Sequence, residues 1–198
     1  MRKIIALAFI SLDGVIQSPG SPDEDPENGF ELGGWVAPFE DEEAGQVMEK
    51  LLQPKDLLLG RRTFEIWENY WPKHAEFWLG INEVNKYVLS KTRSESEWHQ
   101  VHFLSRLEEI EALKEMEGSD IHCWGSGEVV QFLLQKNLLD ELWIMIHPVI
   151  LGKGKKLFGD GAIPTAFQLV ESTVTRGGVI IGHYCKTGEV RTGTIGAS

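Results

Sequence analysis

Two adjacent arginines follow an apolar run in DLLLGRRTFE, residues 56–65, although the chain carries a net charge of -11. Two other segments share that layout. KYVLS leads into Ser90, Lys91, Thr92 and Arg93, and IHCWG leads into Gly125, Ser126, Gly127 and Glu128. With Gly60, Arg61, Arg62 and Thr63, these are the residues whose types and spacing could do chemistry. Glycine and serine let a ligand approach backbone N–H groups, and the start of a helix offers unsatisfied donors and a positive dipole end. The first two junctions add cations. One such junction after a strand is commonplace, but three on one rim of an acidic chain point to a phosphorylated ligand with several anionic groups.

Bringing the junctions together requires strands that end on a common side. Continuous apolar runs bounded by turn residues read as strands buried on both faces. They are KIIALAFI (3–10), DLLLG (56–60), KYVLS (86–90), DIHCWG (120–125), DELWIMIHPVIL (140–151), FQLVESTV (167–174) and VIIGHYCK (179–186). Helical spacing falls between the first four, in 41–53, 105–117 and 126–136, with Ser105 and Glu108 as a capping box and Ser126 as a helix cap. Strands alternating with helices imply right-handed crossovers and a largely parallel sheet. After Leu139 the strands follow one another without helices, and TRGG (175–178) reads as a hairpin turn. The expected architecture is α/β, mostly parallel, flanked by helices, with an antiparallel C-terminal edge. In such sheets ligands bind beyond the carboxyl ends of the strands. One domain is expected over residues 1–186. The tail 187–198 and the acidic, proline-rich segment 18–29 read as mobile.

Composition narrows the function. A chain of 198 residues, 42% hydrophobic and 25% charged, is an ordinary globular protein. The acidic balance argues against nucleic acid as a partner, because that affinity rests on basic patches. Residues 4–10 are too short an apolar run for a secretory signal and read as a buried first strand, and no segment has the length of a membrane span. Cys123 and Cys185 lie in strand-like runs without metal or redox spacing, so they read as reduced core thiols of a cytoplasmic protein. The six histidines show no ligand spacing, so no metal is expected, and His122 and His183 read as core or strand-face residues. GKGKKLF (152–158) lacks Walker spacing and reads as a solvated basic turn.

LLLGRRTFE resembles the glycine–basic–x–threonine–aromatic–glutamate motif that opens the second helix of dihydrofolate reductases. ALAFISLDGVI resembles that family's first strand and the SLDG start of the reductase domain of the bifunctional riboflavin-biosynthesis deaminase/reductase. DELWIMIHPVILGKGKKLF (140–158) is similar to the Asp-Glu-Leu strand, proline and Gly-x-Gly turn of the riboflavin-type members. The resemblance runs from Lys3 to about Lys186 and implies a dihydrofolate reductase-like fold, NADPH as cofactor and a homodimer. By that likeness Ala8 and Ile16 flank the nicotinamide, and Gly60, Arg61, Arg62 and Thr63 meet the adenosine-side phosphates. Ser90, Lys91 and Thr92 complete the pocket for the 2′-phosphate, and Gly125, Ser126, Gly127 and Glu128 cradle the pyrophosphate.

The substrate side departs from the pattern. Riboflavin-type reductases carry a glutamate before the last glycine motif, where this chain has Cys123 and Trp124, and TFEIWENYWPKH (63–74) lacks their aspartate-proline segment and substrate arginine. Folate reductases hold the pterin with a carboxylate of the first helix; Asp41, Glu42 and Glu43 lie in that region, and acids favouring a helix start explain them equally well. Asp13 reads as a substrate contact or as a turn residue, the turn being preferred. Trp35 and Phe39 could stack on a flat heteroaromatic substrate, whereas most of the seven tryptophans belong to the core. The expected function is an NADPH-dependent oxidoreductase acting on a small heterocycle, foremost 5-amino-6-(5-phosphoribosylamino)uracil. Dihydrofolate or pterin reduction, an inactive nucleotide-binding regulatory module and a purely structural use of the fold stand beside it.

Overall fold

The apolar runs join into one eight-stranded sheet in the order β4-β3-β2-β5-β1-β6-β8-β7. The strands are β1 (Ile4–Ser11), β2 (Asp56–Gly60), β3 (Lys86–Leu89), β4 (Val101–Leu104), β5 (Ile121–Trp124), β6 (Glu141–His147), β7 (Ala166–Val174) and β8 (Ile180–Gly188). Four helices flank them: α1 (Glu42–Leu51), α2 (Arg61–Tyr70), α3 (Leu107–Glu115) and α4 (Gly127–Gln135). This is a computed structural model, and it describes residues 1–159 and 162–196.

Every pairing from β4 through to β6 is parallel, and β8 runs antiparallel to both β6 and β7. The central strand shows why its run is unbroken. Ile4, Ala6 and Ala8 of β1 belong to a core with Ile110 and Leu113 of α3 and Val129, Val130 and Leu133 of α4. Ile5 and Leu7 join a second core with Leu51 of α1 and Phe64 of α2. Each fully buried aliphatic side chain contributes roughly 1.5–3 kcal/mol over its exposed state, so both faces must be apolar. Among the described residues, no helix is long and apolar enough to cross a membrane.

The expected elements are present, with instructive differences. The four residues of β4 were not foreseen, because only Leu104 is buried and an edge strand shows little apolar signal. The capping box of α3 sits one residue later than expected: Glu109 Oε2 accepts the backbone N–H groups of Ser105 and Arg106, at 2.9 and 2.8 Å. β6 stops at His147 because Pro148 has no N–H to donate to the ladder. Its two faces enter the two cores, Leu142 on one side and Trp143 and Met145 on the other. Pairing in β8 runs to Gly188, into the expected tail; residues 197 and 198 of that tail lie outside the described residues.

The acidic segment 18–29 is pinned rather than loose. Gln17 Nε2 donates to the carbonyls of Asp25 and Glu27, at 2.9 and 3.0 Å. The basic turn that read as solvated clamps it from the other side. Lys155 Nζ lies 2.6 Å from both Asp25 and Glu27, and Lys153 Nζ donates to the Gly29 carbonyl at 2.7 Å.

Candidate active site

The three junctions do meet at the carboxyl ends of adjacent strands, β3, β2 and β5. Gly60 precedes α2 and Ser126 precedes α4, and neither side chain caps its own helix. The expected cap at Ser126 is instead a cross-link. Its Oγ accepts the Gly60 N–H at 3.0 Å and donates to Thr63 Oγ1 at 2.9 Å, tying the two helix starts together. Two positive dipole ends without side-chain caps therefore sit side by side.

The glycines do different work. A Cβ on Gly60 would lie 3.2 Å from Val129 Cγ2, so this glycine lets α4 pack closely. Gly127 is likewise crowded by protein: its Cβ would stand 2.9 Å from Ile16 Cδ1 and 3.3 Å from the Lys156 carbonyl oxygen. Gly125 has a left-handed φ of +61°, and a Cβ there would meet nothing within 4 Å. The open approach is thus at Gly125. Ala8 is buried in β1, Ile16 is half-buried with its tip on the start of α4, and Glu128 is exposed in the first turn of that helix.

Three of the rim cations pair with carboxylates. Arg61 pairs with Glu65 at 2.8 Å, Arg62 with Glu27, and Arg93 with Glu68. The Lys155 and Arg62 partners hold the Glu27 carboxyl below the usual range. Arg93, outside the expected pocket, lies 5.2 Å over the Phe64 ring. Ser90 is buried and its Oγ accepts the N–H groups of Thr92 and Arg93, at 3.2 and 2.9 Å, so it first builds the turn; Lys91 and Thr92 are exposed on it. Exposed ion pairs contribute only about 0–1 kcal/mol, so Arg61 and Arg62 can exchange a carboxylate for a phosphate at little cost. Beside Glu27 a cavity of about 180 Å³ opens between the acidic segment and the turn Lys153–Lys155.

Next to this rim the ends of β1, β5 and β6 carry an aromatic wall. Phe9 lies 6.2 Å from Trp124 and 5.8 Å from His147, whose ring also meets Trp35 at 5.3 Å and Phe39 at 5.8 Å. Phe9, Trp124 and His147 escaped sequence reasoning because each reads locally as a strand residue. Trp35 is buried, with Nε1 donating to the Gln17 carbonyl at 2.9 Å, so it backs the wall instead of offering a free face; Phe39 is half-buried. Burial pushes the His147 imidazole down. Asp13 is spent on the turn: it accepts Ser11 Oγ at 2.6 Å and the N–H groups of Leu151 and Gly152, which hold its carboxyl down at about 2.

Two polar atoms here are buried without a partner: the Nε1 donor of Trp124 and Oε2 of Glu43. The three acids of α1 are no longer equivalent. Asp41 caps α1 through the Ala44 N–H at 2.8 Å and takes the Gly177 N–H at 2.8 Å. Glu42 is exposed, whereas Glu43 uses only one oxygen, on Arg176 at 2.9 Å. An unmet buried polar group costs about 1–3 kcal/mol, which a ligand supplying the missing bond would recover.

A family model for the RibD C-terminal domain matches residues 2–181. YyaP of Bacillus subtilis (strain 168) is 30% identical over 191 residues, covering 90% of this chain and 92% of its own. A protein provisionally assigned to riboflavin biosynthesis from Shewanella sp. PV-4 shares the fold with a TM-score of 0.64 at 23% identity, covering 93% of this chain and 99% of its own. Dihydrofolate reductase from Enterococcus faecalis, complexed with NADP(H), gives 0.60 at 16% identity, covering 93% of this chain and 96% of its own.

Proposed function

Since the chain belongs to the RibD C-terminal domain family, we propose that it is an NADPH-dependent reductase of a small heterocycle, with 5-amino-6-(5-phosphoribosylamino)uracil foremost. The observation that carries this reading is the pair of helix starts joined through Ser126, beside the open left-handed Gly125 and the exchangeable Arg61 and Arg62. This donor set fits a dinucleotide. The starts of α2 and α4 would take its phosphates, Arg62 or Arg61 the 2′-phosphate with Lys91 and Thr92 nearby, and Ala8 and Ile16 would bound the nicotinamide. When bound, NADPH supplies the hydride. The chain's own part is to orient both rings and exclude water, for which the half-buried Phe9 and Phe39 would offer flat apolar edges backed by the buried Trp124 and His147.

Glu43 favours a second substrate class. A first-helix carboxylate with one buried, unmet oxygen is where folate reductases hold a pterin, so pterin reduction is the runner-up. The reading includes a homodimer through β7, a sheet edge that exposes Leu169, Val170 and Val174; a scattering mass of 22.3 kDa at micromolar concentration would count against it.

One experiment separates the alternatives. NADPH should raise the melting temperature more than NADH does. It should then be oxidised in the presence of the ribosylaminouracil. Oxidation with dihydropterins alone would move the assignment to pterins, and binding without turnover on either panel would make the protein a regulatory module. No NADPH-dependent shift at millimolar concentration would overturn the reading.

A further inference from the structure

At the other end of the sheet, strand register assembles three side chains that sequence spacing keeps far apart. Glu141 of β6 stands directly opposite Cys185 of β8, and Trp143 stands opposite His183. Alternation along β8 puts His183 and Cys185 on one face, so Glu141, His183 and Cys185 converge, with one ligand atom from each lying within 4.8 Å of the others. Glu141 and His183 side chains are only 8% and 15% exposed. The platform is rigid: both strands lie inside the sheet, and the His183 ring stacks on Trp143 at 4.5 Å and 6°.

We propose that Glu141, His183 and Cys185 form a binding site for a borderline transition-metal dication of the zinc or cobalt class. The proposal does not depend on the reductase reading. A tetrahedral ion with bonds of roughly 2.0–2.3 Å holds its ligand atoms about 3.5 Å apart, so His183 Nε2 and Glu141 Oε2 would part from 2.8 Å while the atoms no more than 4.8 Å apart adjust around the ion. Thiol and imidazole donors select against magnesium and calcium, which prefer all-oxygen shells.

The hydrogen-bond pattern around His183 supports this. Its Nε2 lies 2.8 Å from Glu141 Oε2, toward the cluster, while Nδ1 is buried with no hydrogen-bond partner. Glu171 Oε1 waits 3.6 Å from Nδ1, itself held by Lys50 at 2.6 Å. A simple His183–Glu141 ion pair leaves Nδ1 unmet. Metal at Nε2 would turn Nδ1 into a donor aimed at Glu171, the outer carboxylate that ligating histidines characteristically have. Lys3 holds the other Glu141 oxygen at 2.5 Å, so Glu141 would bind through Oε2 alone and leave a fourth position for water.

The test uses the full chain after chelator dialysis. Cobalt(II) should bind one-to-one and produce a sulfur-to-metal charge-transfer band, which zinc(II) then removes by displacement. Cys185→Ser should abolish the band, and Glu171→Gln should weaken zinc about ten- to a hundredfold through the outer shell. Lys91→Ala, at the opposite end, should leave cobalt and zinc binding as they are. Should Cys185→Ser fail to fold, alkylation of the unmodified protein decides: zinc should slow modification of Cys185 at least tenfold. Absence of the band, a band that survives Cys185→Ser, or alkylation indifferent to zinc would overturn the proposal.

Discussion

At the amino ends of the parallel strands, Arg2 pairs with Asp56 and Lys114 with Asp140, the two cations being 3% and 8% exposed. At the carboxyl ends, Arg61 and Arg62 pair with Glu65 and Glu27, and every partner is more than a third exposed. The same chemistry therefore serves two purposes. A desolvated pair cannot lose one member without leaving a charge in the protein interior, so it fixes the fold. An exposed pair is nearly neutral in free energy, so its cation remains available to another anion. All four helices begin beyond the carboxyl ends of parallel strands, yet they differ: carboxylates of Asp41 and Glu109 take N–H groups at the starts of α1 and α3, while α2 and α4 begin without side-chain caps. The exposed arginine pairs and the two uncapped helix starts thus lie together at one rim.

Breaking the buried end should have the largest effect. Arg2→Met leaves Asp56 without its partner and should cost about 3–5 kcal/mol in urea unfolding. The NADPH affinity of the folded fraction should stay as it was. A loss below about 1 kcal/mol, the surface value, would erase the contrast between the two ends.

Acid should act at the same end. Burial pushes the His122 imidazole down to about 4 from 6.5, so between those values the unfolded chain binds the extra proton. Stability is then complete above pH 6.5 and is lost as pH falls toward 4, by on the order of 3 kcal/mol. Melting temperatures across this window should drop steeply, and His122→Leu should flatten the drop. A parent profile already flat there would show that His122 titrates normally.

The exchangeable end should respond in binding instead. Arg62→Ala removes one charge-assisted contact, worth about 1.5–3 kcal/mol, or ten- to a hundredfold in NADPH affinity. NADH binding and unliganded stability should barely move, and Arg61→Ala should do less, because Arg61 Nη1 already donates to both Glu65 oxygens. Equal losses for both cofactors would remove the arginines from the 2′-phosphate.

The smallest and most discriminating changes are at the glycines. Gly125→Ala should cost about 1–2 kcal/mol for its left-handed backbone and, by filling the open approach, weaken NADPH further. Gly127→Ala offsets a helix gain of up to about 1 kcal/mol against crowding by the Ile16 tip and the Lys156 carbonyl, so the melting temperature should stay level or fall slightly. Unchanged NADPH binding in Gly125→Ala would move the pyrophosphate off this junction.

Much of this was legible in the linear chain. Strand runs with both faces apolar, such as 3–10, can belong only to the middle of a covered sheet, and the hairpin at 175–178 is written in its residues. The three junctions could be read because each packs its glycines, hydroxyls and cations into four consecutive positions, where local sequence is local structure. Edge elements were less visible: β4 has almost nothing to bury, and the cap of α3 differs by a single residue that only backbone geometry fixes.

What the sequence by itself determined was therefore the sheet and the gathering of three junctions rich in glycine and hydroxyl groups on one side of it. Tertiary structure alone decided which acid of α1 keeps a free oxygen, that Ser126 bridges two helices, and that Trp35 is a support. It alone also joined Glu141 to His183 and Cys185, more than forty residues away in the chain. The physical reason is range. Propensity, capping and helix-start chemistry act over a few residues, whereas register and burial act between strands whose order in the sheet differs from their order in the chain.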